Sequence, residues 1–230
     1  MKKLLVVGGS GYLGRHVVRC GLKHGLAVKS LSRSGAPPAA VSMDGLDGAE
    51  WLSGSAEDAE TVASALDGAY GVVSVLGTPF GTRESILRIN GAANVAIAAA
   101  AKEAGVERYV YVSAATFRLM ETLFPDSWGA YFAGKREAEA AVASHFGAAG
   151  VTLKPGIIYT ESLSEAREQA ALGMKEAKMP NLVGSPMAAA LALGPVQSLA
   201  GAIGPVGDFL APPSLVSDVA EAAIAHVLEK

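Results

Sequence analysis

Cysteine is almost absent from this chain of 230 residues: Cys20 stands alone, so no disulfide framework can form. The apolar segment around it points to a buried, inert thiol rather than a nucleophile. Histidine is scarce as well. His16, His24, His145 and His226 show no metal-ligand spacing, and no metal site is expected. Neither sign of charge dominates: 19 Lys and Arg against 22 Asp and Glu leave a net charge of −3. That balance gives no electrostatic reason to expect nucleic acid as a partner. Charged residues are missing altogether from Met179 to Gly207. The stretch is long enough for a membrane span. Pro186, Pro195 and Pro205 divide it into pieces too short to cross, so no transmembrane helix is expected. The chain begins almost at its first expected strand, and no signal or transit peptide is expected within it. A processed or truncated chain would read the same way.

Glycine, by contrast, is abundant, with 27 residues, and three of them are spaced to a purpose. The apolar run Leu4 to Val7 ends in Gly8, Gly11 and Gly14, and an amphipathic segment follows with Leu13, Val17, Val18 and Leu22 on one face. This reads as strand, tight turn and helix. Such a turn lets backbone N–H groups approach a pyrophosphate, and the helix N-terminus adds partial positive charge. Gly8 would permit the turn, Gly11 the close approach and Gly14 tight helix–strand packing. The candidate dinucleotide contacts of the turn are therefore Gly8, Ser10, Gly11, Tyr12, Leu13 and Gly14.

Strand and helix patterns alternate through the first two-thirds of the chain. Strands are expected at Lys3–Val7, Ala27–Leu31, Glu50–Ser53, Gly71–Leu76, Arg108–Ser113 and Val151–Lys154. Helices are expected at Tyr12–His24, Ala56–Leu66, Thr82–Ala104, Ala130–Ala148 and Ser217–Leu228. Alternation of this kind implies right-handed βαβ units and a parallel sheet covered on both faces. With half its residues hydrophobic, the chain can bury the core of one domain. The expectation is one α/β domain over 1–230, a doubly wound parallel sheet of Rossmann type. Residues 156–213, where the rhythm weakens, would form a small irregular cap.

The second strand should end about 20 residues beyond the glycine turn, where an acidic side chain would hold the ribose of NAD. No Asp or Glu occurs there; the residues are Ser32, Arg33 and Ser34. A guanidinium flanked by two hydroxyls suits a ribose 2′-phosphate, so NADP(H) is expected in preference to NAD(H). Arg15, just inside the first helix, is read either as an assistant to this site or as a surface residue.

Tyr131 and Lys135 form a Tyr-x-x-x-Lys pair on an expected helix, which puts phenol and ammonium on one face. Carbonyl reduction needs a proton donor beside the hydride donor. A tyrosine titrates near 10 by itself, and a neighbouring cation favours its phenolate. Tyr131 would be the acid or base, and Lys135 would tune it and hold the nicotinamide ribose. Ser113 stands at the carboxyl end of the preceding strand.

Together these residues resemble the extended and atypical branches of the short-chain dehydrogenase/reductase family. The spacing Gly-x-x-Gly-x-x-Gly is similar to theirs, although Val7 stands where Thr is usual. The run Gly105 to Ser113 resembles the family's fifth-strand signature, Lys154-Pro155-Gly156 stands where Arg-Pro-Gly is usual, and Pro213 to Ala220 resembles the turn into its last helix. The resemblance implies that Ser113 binds the carbonyl, that Gly77 lies near a cofactor ribose, and that Asn90 supports the site by hydrogen bonding. Ser55 stands where relatives often have Asp, which removes one adenine contact. The run Ser30 to Gly35, with Tyr131 running on through Lys135 to Glu139, is similar to a small mitochondrial and plastid group. That group is related to a coenzyme Q biosynthesis-associated protein and to the NADPH-binding accessory subunit of respiratory complex I.

The resemblance implies an NADP(H)-binding atypical short-chain reductase that transfers hydride to an apolar carbonyl or quinone-like substrate. The alternative is a non-catalytic NADPH-binding structural or assembly protein, tied to quinone biosynthesis or a respiratory or membrane complex. The uncharged 179–207 segment admits three readings: a buried cap, a lining for an apolar substrate, or a docking surface for a membrane or protein complex. A mitochondrial or plastid address follows from the resemblance, and nothing in the chain bars a soluble cytoplasmic one.

Overall fold

A computed structural model describes the chain except residues 40, 163, 167–188, 203–207, 209–210 and 230. Six short strands carry the architecture: β1 (Lys3–Val7), β2 (Ala27–Ser32), β3 (Glu50–Ser53), β4 (Gly71–Ser74), β5 (Arg108–Val112) and β6 (Gly150–Leu153). They form one parallel sheet in the order β3-β2-β1-β4-β5-β6. This is the doubly wound Rossmann order, with its reversal between β1 and β4. Successive residues of β1 serve opposite faces of the sheet, as the period of a strand requires. Leu4 and Val6 join a core with Val17, Val18, Ala223 and Ile224. Leu5 and Val7 join another with Val62, Ile97, Ala138 and Val142.

The first core is closed by α1 (Tyr12–Lys23) and α8 (Val216–Leu228), the second by α2 (Ala59–Leu66), α4 (Ala93–Glu103) and α6 (Ala130–Phe146). The helix expected over Thr82–Ala104 is divided. It runs as α3 (Arg83–Leu87), one π-helical turn (Arg88–Ala92) and then α4. The cause is close packing against α6. A Cβ on Gly91 would lie 3.1 Å from Gly134 Cα, and one on Gly134 would lie 2.9 Å from Gly91 N. The turn also brings Asn94 Nδ2 within reach of two of its carbonyls, Ile89 O at 3.0 Å and Asn90 O at 3.2 Å.

Beyond β6, the described part of the cap holds a two-stranded parallel pair, β7 (Ile158–Tyr159) with β8 (Ser214–Leu215), and the short helix α7 (Gly194–Ala202). Another short helix, α5 (Arg118–Leu123), precedes a π-helical turn at Pro125–Gly129. Neither β7, β8 nor α5 has a sequence period long enough to announce it. Of the uncharged segment, 179–188 and 203–207 lie outside the described residues. Among the described residues, no helix is long and apolar enough to cross a membrane.

Candidate active site

The strand order reverses between β1 and β4, and the loops leaving these parallel strands border a cleft of about 1020 Å3. Its floor is the glycine turn. Gly8 has φ +88°, a conformation that only glycine adopts cheaply. Gly11 N donates to Gly8 O at 3.0 Å, and Gly11 opens α1. A Cβ on Gly14 would stand 2.3 Å from Gly8 O and 2.6 Å from Gly9 Cα, so its role is close packing under the turn. A Cβ on Gly11 would meet only Gly8 O, at 3.2 Å, and otherwise face the cleft. Gly9 has a requirement of its own. Its Cβ would fall 2.1 Å from Ser30 Oγ of β2. The Gly8-Gly9 pair was the sequence signal for it.

Ser10, Tyr12 and Leu13 also border the cleft. The Tyr12 ring is buried, in edge-on contact with His16, and burial raises its phenol well above the ordinary range. Arg15 is 2% exposed, which corrects its reading as a surface residue. Its Nη1 donates to Ser10 O at 3.0 Å, bracing the turn from beneath. Arg15 does not border the cleft.

At the far rim stand Ser32, Arg33 and Ser34. Ser34 Oγ donates to Ala36 O at 2.7 Å, and Ser53 Oγ donates to Arg33 O at 3.1 Å, which shapes the loop. The Arg33 side chain is exposed and open to the cleft. Ser55 and Glu57 lie nearby; Glu57 is paired with Arg88.

Gly77 lies on the loop after β4, in a position where a larger residue would force Asn90 and Lys135 to shift. A Cβ there would lie 2.7 Å from Asn90 Oδ1 and 2.9 Å from Lys135 Nζ. Asn90 is fully buried. It accepts from Thr78 N at 3.1 Å and donates to Thr78 O and Ile86 O, both at 2.7 Å. It therefore clamps the loop that carries Gly77. Asn94 does similar work, accepting from Ser74 Oγ at 2.7 Å and donating to Leu76 O at 3.4 Å. Its role was missed in sequence, where it is one amide in an alanine-rich helix.

Tyr131, Lys135 and Ser113 all border the same cleft as the glycine turn. Lys135 is 4% exposed. Its ammonium donates to Val112 O at 3.0 Å and to Leu76 O at 3.3 Å, the ends of β5 and of the β4 loop. It lies 4.7 Å from the Tyr111 ring centre and 5.7 Å from that of Tyr131. Burial pulls its titration down from 10.5 to about 7, against the opposing pull of Glu139. Ser113 Oγ donates to Glu139 Oε1 at 2.5 Å. A hydroxyl has one proton, so in this arrangement Ser113 offers lone pairs to the cleft. Glu139 completes its contacts with Lys154 Nζ at 2.5 Å. Neither contact was visible in sequence, because Ser113, Glu139 and Lys154 come from three elements.

One wall of the cleft is apolar. Pro79, Phe80, Phe117, Met120, Trp128, Phe132 and Ile157 belong to its lining. Trp128 and Phe132 meet the Tyr131 ring edge-on, at 5.7 and 5.2 Å. Among the described residues, 189–202 contribute nothing to the lining, so the apolar wall comes from the β4 loop and the segment around α5. Away from the cleft, Cys20, His24 and Glu221 come together, the one such group among the described residues. Glu221 is already paired with both Lys23 and His24.

A family model described as NAD(P)H-binding matches residues 8–180, most of the chain, and the chain belongs to that family. It is 34% identical to an uncharacterized chloroplastic protein of Arabidopsis thaliana, over 97% of this chain and 70% of that one. Among solved structures, vestitone reductase from alfalfa, Medicago sativa, aligns over 100% of this chain and 74% of its own, with TM-score 0.64 and 17% identity. An oxidoreductase of the short-chain dehydrogenase/reductase family from Burkholderia thailandensis aligns over 99% of this chain and 86% of its own, with TM-score 0.62 and 18% identity. At those identities the structural likeness is one of fold.

Proposed function

From membership of this NAD(P)H-binding family, we propose that the protein is an atypical short-chain reductase that uses NADP(H) to reduce an apolar carbonyl or quinone-like substrate. The observation that carries the reading is the convergence of Tyr131, Lys135 and Ser113 on the cleft that the glycine turn floors. The residues fit a dinucleotide. The turn has no side chain at Gly8 or Gly11 to block a pyrophosphate, and its backbone amides sit at a helix N-terminus. At the rim, Arg33 with Ser32 and Ser34 would hold a 2′-phosphate. Gly77 and Lys135 would hold the nicotinamide ribose.

Bound there, the reduced nicotinamide would supply the hydride. Tyr131 donates the proton to the substrate oxygen. Lys135 stabilises the phenolate left behind and returns it to the neutral form. The aromatic wall excludes water and holds an apolar ring or chain beside Tyr131. We read 1–230 as one domain, with 156–213 as its substrate-side cap. A plastid setting is supported by the chloroplastic relative. The mitochondrial and quinone-biosynthesis associations rest on the motif resemblance.

A second reading, a non-catalytic NADPH-binding structural or assembly protein, has one observation in its favour. Lys135 and Ser113 spend donors on protein carbonyls and on Glu139 rather than leaving all of them to the cleft. Exposed Leu193 and Leu199, at and within α7, would be its docking residues. Tyr131→Phe separates the two. It should leave NADPH binding nearly unchanged and cut reduction of apolar ketones or quinones by about 10²–10⁴-fold. Full activity, or full complementation, with the Phe variant would exclude the catalytic reading.

A further inference from the structure

The reductase reading leaves without a task one carboxylate bonded to a cleft residue, Glu139 on Ser113. Glu139 follows Lys135 by one helical turn, so Tyr131, Lys135 and Glu139 rise along one face of α6. The Glu139 side chain is only 17% exposed. Two anchors hold it. Ser113 Oγ, from the end of β5, donates to Oε1, and Lys154 Nζ, just past β6, pairs with Oε2, each at 2.5 Å. A flexible acidic side chain is thereby fixed beside the site instead of turning out to water.

The group that needs a fixed anion is Lys135. Its ammonium is buried, and its close neighbours come from several elements. They are the carbonyls of Leu76 and Val112, the Tyr111 ring on β5, Asn90 next to Gly77, and Tyr131 on its own helix, with Glu139 one turn further along that helix acting through its charge. Of these groups Glu139 carries the full negative charge. A buried cation without such a partner releases its proton and becomes an amine. An amine would no longer stabilise a phenolate on Tyr131.

We propose that Glu139 is a positioning residue of the site: held by Ser113 and Lys154, it supplies the counter-charge that keeps the buried Lys135 an ammonium. The proposal rests on the reductase reading for its purpose. Its physical content is a coupling between two side chains, and that coupling is measurable without substrate. Burial and Glu139 act on Lys135 in opposite directions, and the titration of Lys135 near neutrality is their resultant.

The test is NMR of the cofactor-free protein labelled with 13Cε-lysine, followed from pH 5 to 10. Lys135→Met identifies the resonance by its loss. In the unaltered protein the Lys135 midpoint should lie near 7. In Glu139→Gln it should fall by about one pH unit or more, the coupling a nearby opposite charge supplies. Glu139→Asp should restore part of the fall. Glu137→Gln, which removes a neighbouring exposed carboxylate of α6, should leave the midpoint in place. An unchanged midpoint in Glu139→Gln overturns the proposal, as does an equal fall in Glu137→Gln. Should Glu139→Gln fail to fold, Glu139→Gln with Lys154→Met removes both members of the ion pair and carries the same expectation. NADPH titration of the same samples reads the reductase proposal separately. Loss of cofactor binding in the unaltered protein would defeat that proposal and leave the Lys135–Glu139 coupling standing.

Discussion

Lys135 is placed where a cation is costly, and replacing it should show that cost as a dependence on pH. Its titration is depressed from 10.5 to about 7, first by burial. A difference of that size corresponds to ~5 kcal/mol against the charged form in the folded state. Lys135→Met keeps the length of the side chain and removes the charge. It also removes two hydrogen bonds, to Leu76 O and Val112 O, together worth ~2–3 kcal/mol. Below pH 7 the variant should therefore be the more stable protein, by ~2 kcal/mol.

The sign of the pH dependence is fixed by the direction of the shift. Between about pH 7 and 10.5 the unfolded chain keeps the Lys135 proton and the folded chain has lost it. The unfolded state then binds more protons, so the unaltered protein gains stability as pH rises through this window. The variant lacks the group and gains nothing from it. The stability difference between the two should thus move by ~3 kcal/mol between pH 6 and pH 9.5, in favour of the unaltered protein. Urea unfolding at pH 6, 8 and 9.5 measures it, and the difference cancels the other titrating groups common to both. A difference that stays flat across this range would show that Lys135 is not held in a charge-penalising site.

Three further outcomes follow from the geometry. Gly11→Val should fold and fail to bind NADPH, because its side chain points to the open cleft, whereas Gly14→Val should be destabilised, with no free space between Gly8 O and Gly9 Cα; equal behaviour of the two in calorimetry and thermal unfolding would contradict the roles given to them. Arg33→Ala should lower the preference for NADPH over NADH by about tenfold or more, the loss of one charge-assisted contact, and equal affinity of the unaltered protein for both cofactors would remove the basis of the NADP(H) assignment. The Cys20 thiol is buried and pushed up to about 12, first by burial and then by the Glu221 carboxylate. It should react with a disulfide reagent at pH 8 only after unfolding, and rapid labelling of the native protein would refute its inert role.

What was legible in sequence was local. The glycine turn lies within seven residues and is flanked by the strand and helix it joins, so its φ requirement, its open side and its tight side could all be assigned in advance. Tyr131 and Lys135 share a helix face by their spacing alone. The parallel, doubly wound sheet followed from the alternation of strand and helix, because parallel crossovers leave few arrangements. Arg15 was harder. A long cation in the first turn of an amphipathic helix is ordinarily solvated, and only the fold shows that it reaches under the turn to Ser10 O. The π-helical turn was hidden for a similar reason. Its cause is the approach of Gly91 to Gly134, 43 residues later, and neither glycine announces the other. The aromatic wall was not read in sequence, because Phe80, Phe117 and Trp128 lie scattered among loops with no period to unite them.

The ends of β4, β5 and β6 explain why these scattered residues make one site. Each strand ends with backbone or side-chain groups turned toward α6: Leu76 O beyond β4, Val112 O and Ser113 at β5, and Lys154 after β6. The helix answers with Lys135 for the carbonyls and Glu139 for Ser113 and Lys154. A structural helix would be better served there by apolar side chains, since a buried cation and its anion add little stability over a packed hydrocarbon. Two glycines, Gly91 and Gly134, are then needed to bring α6 close to the π-helical turn, and Asn90 to hold the loop of Gly77 against Lys135. The arrangement gives up stability at several adjacent positions, gathered around the cleft residues Gly77, Ser113 and Lys135. Concentrated cost of this kind is expected where charge and orientation matter more than packing, which favours a chemical role for these positions over a purely structural one.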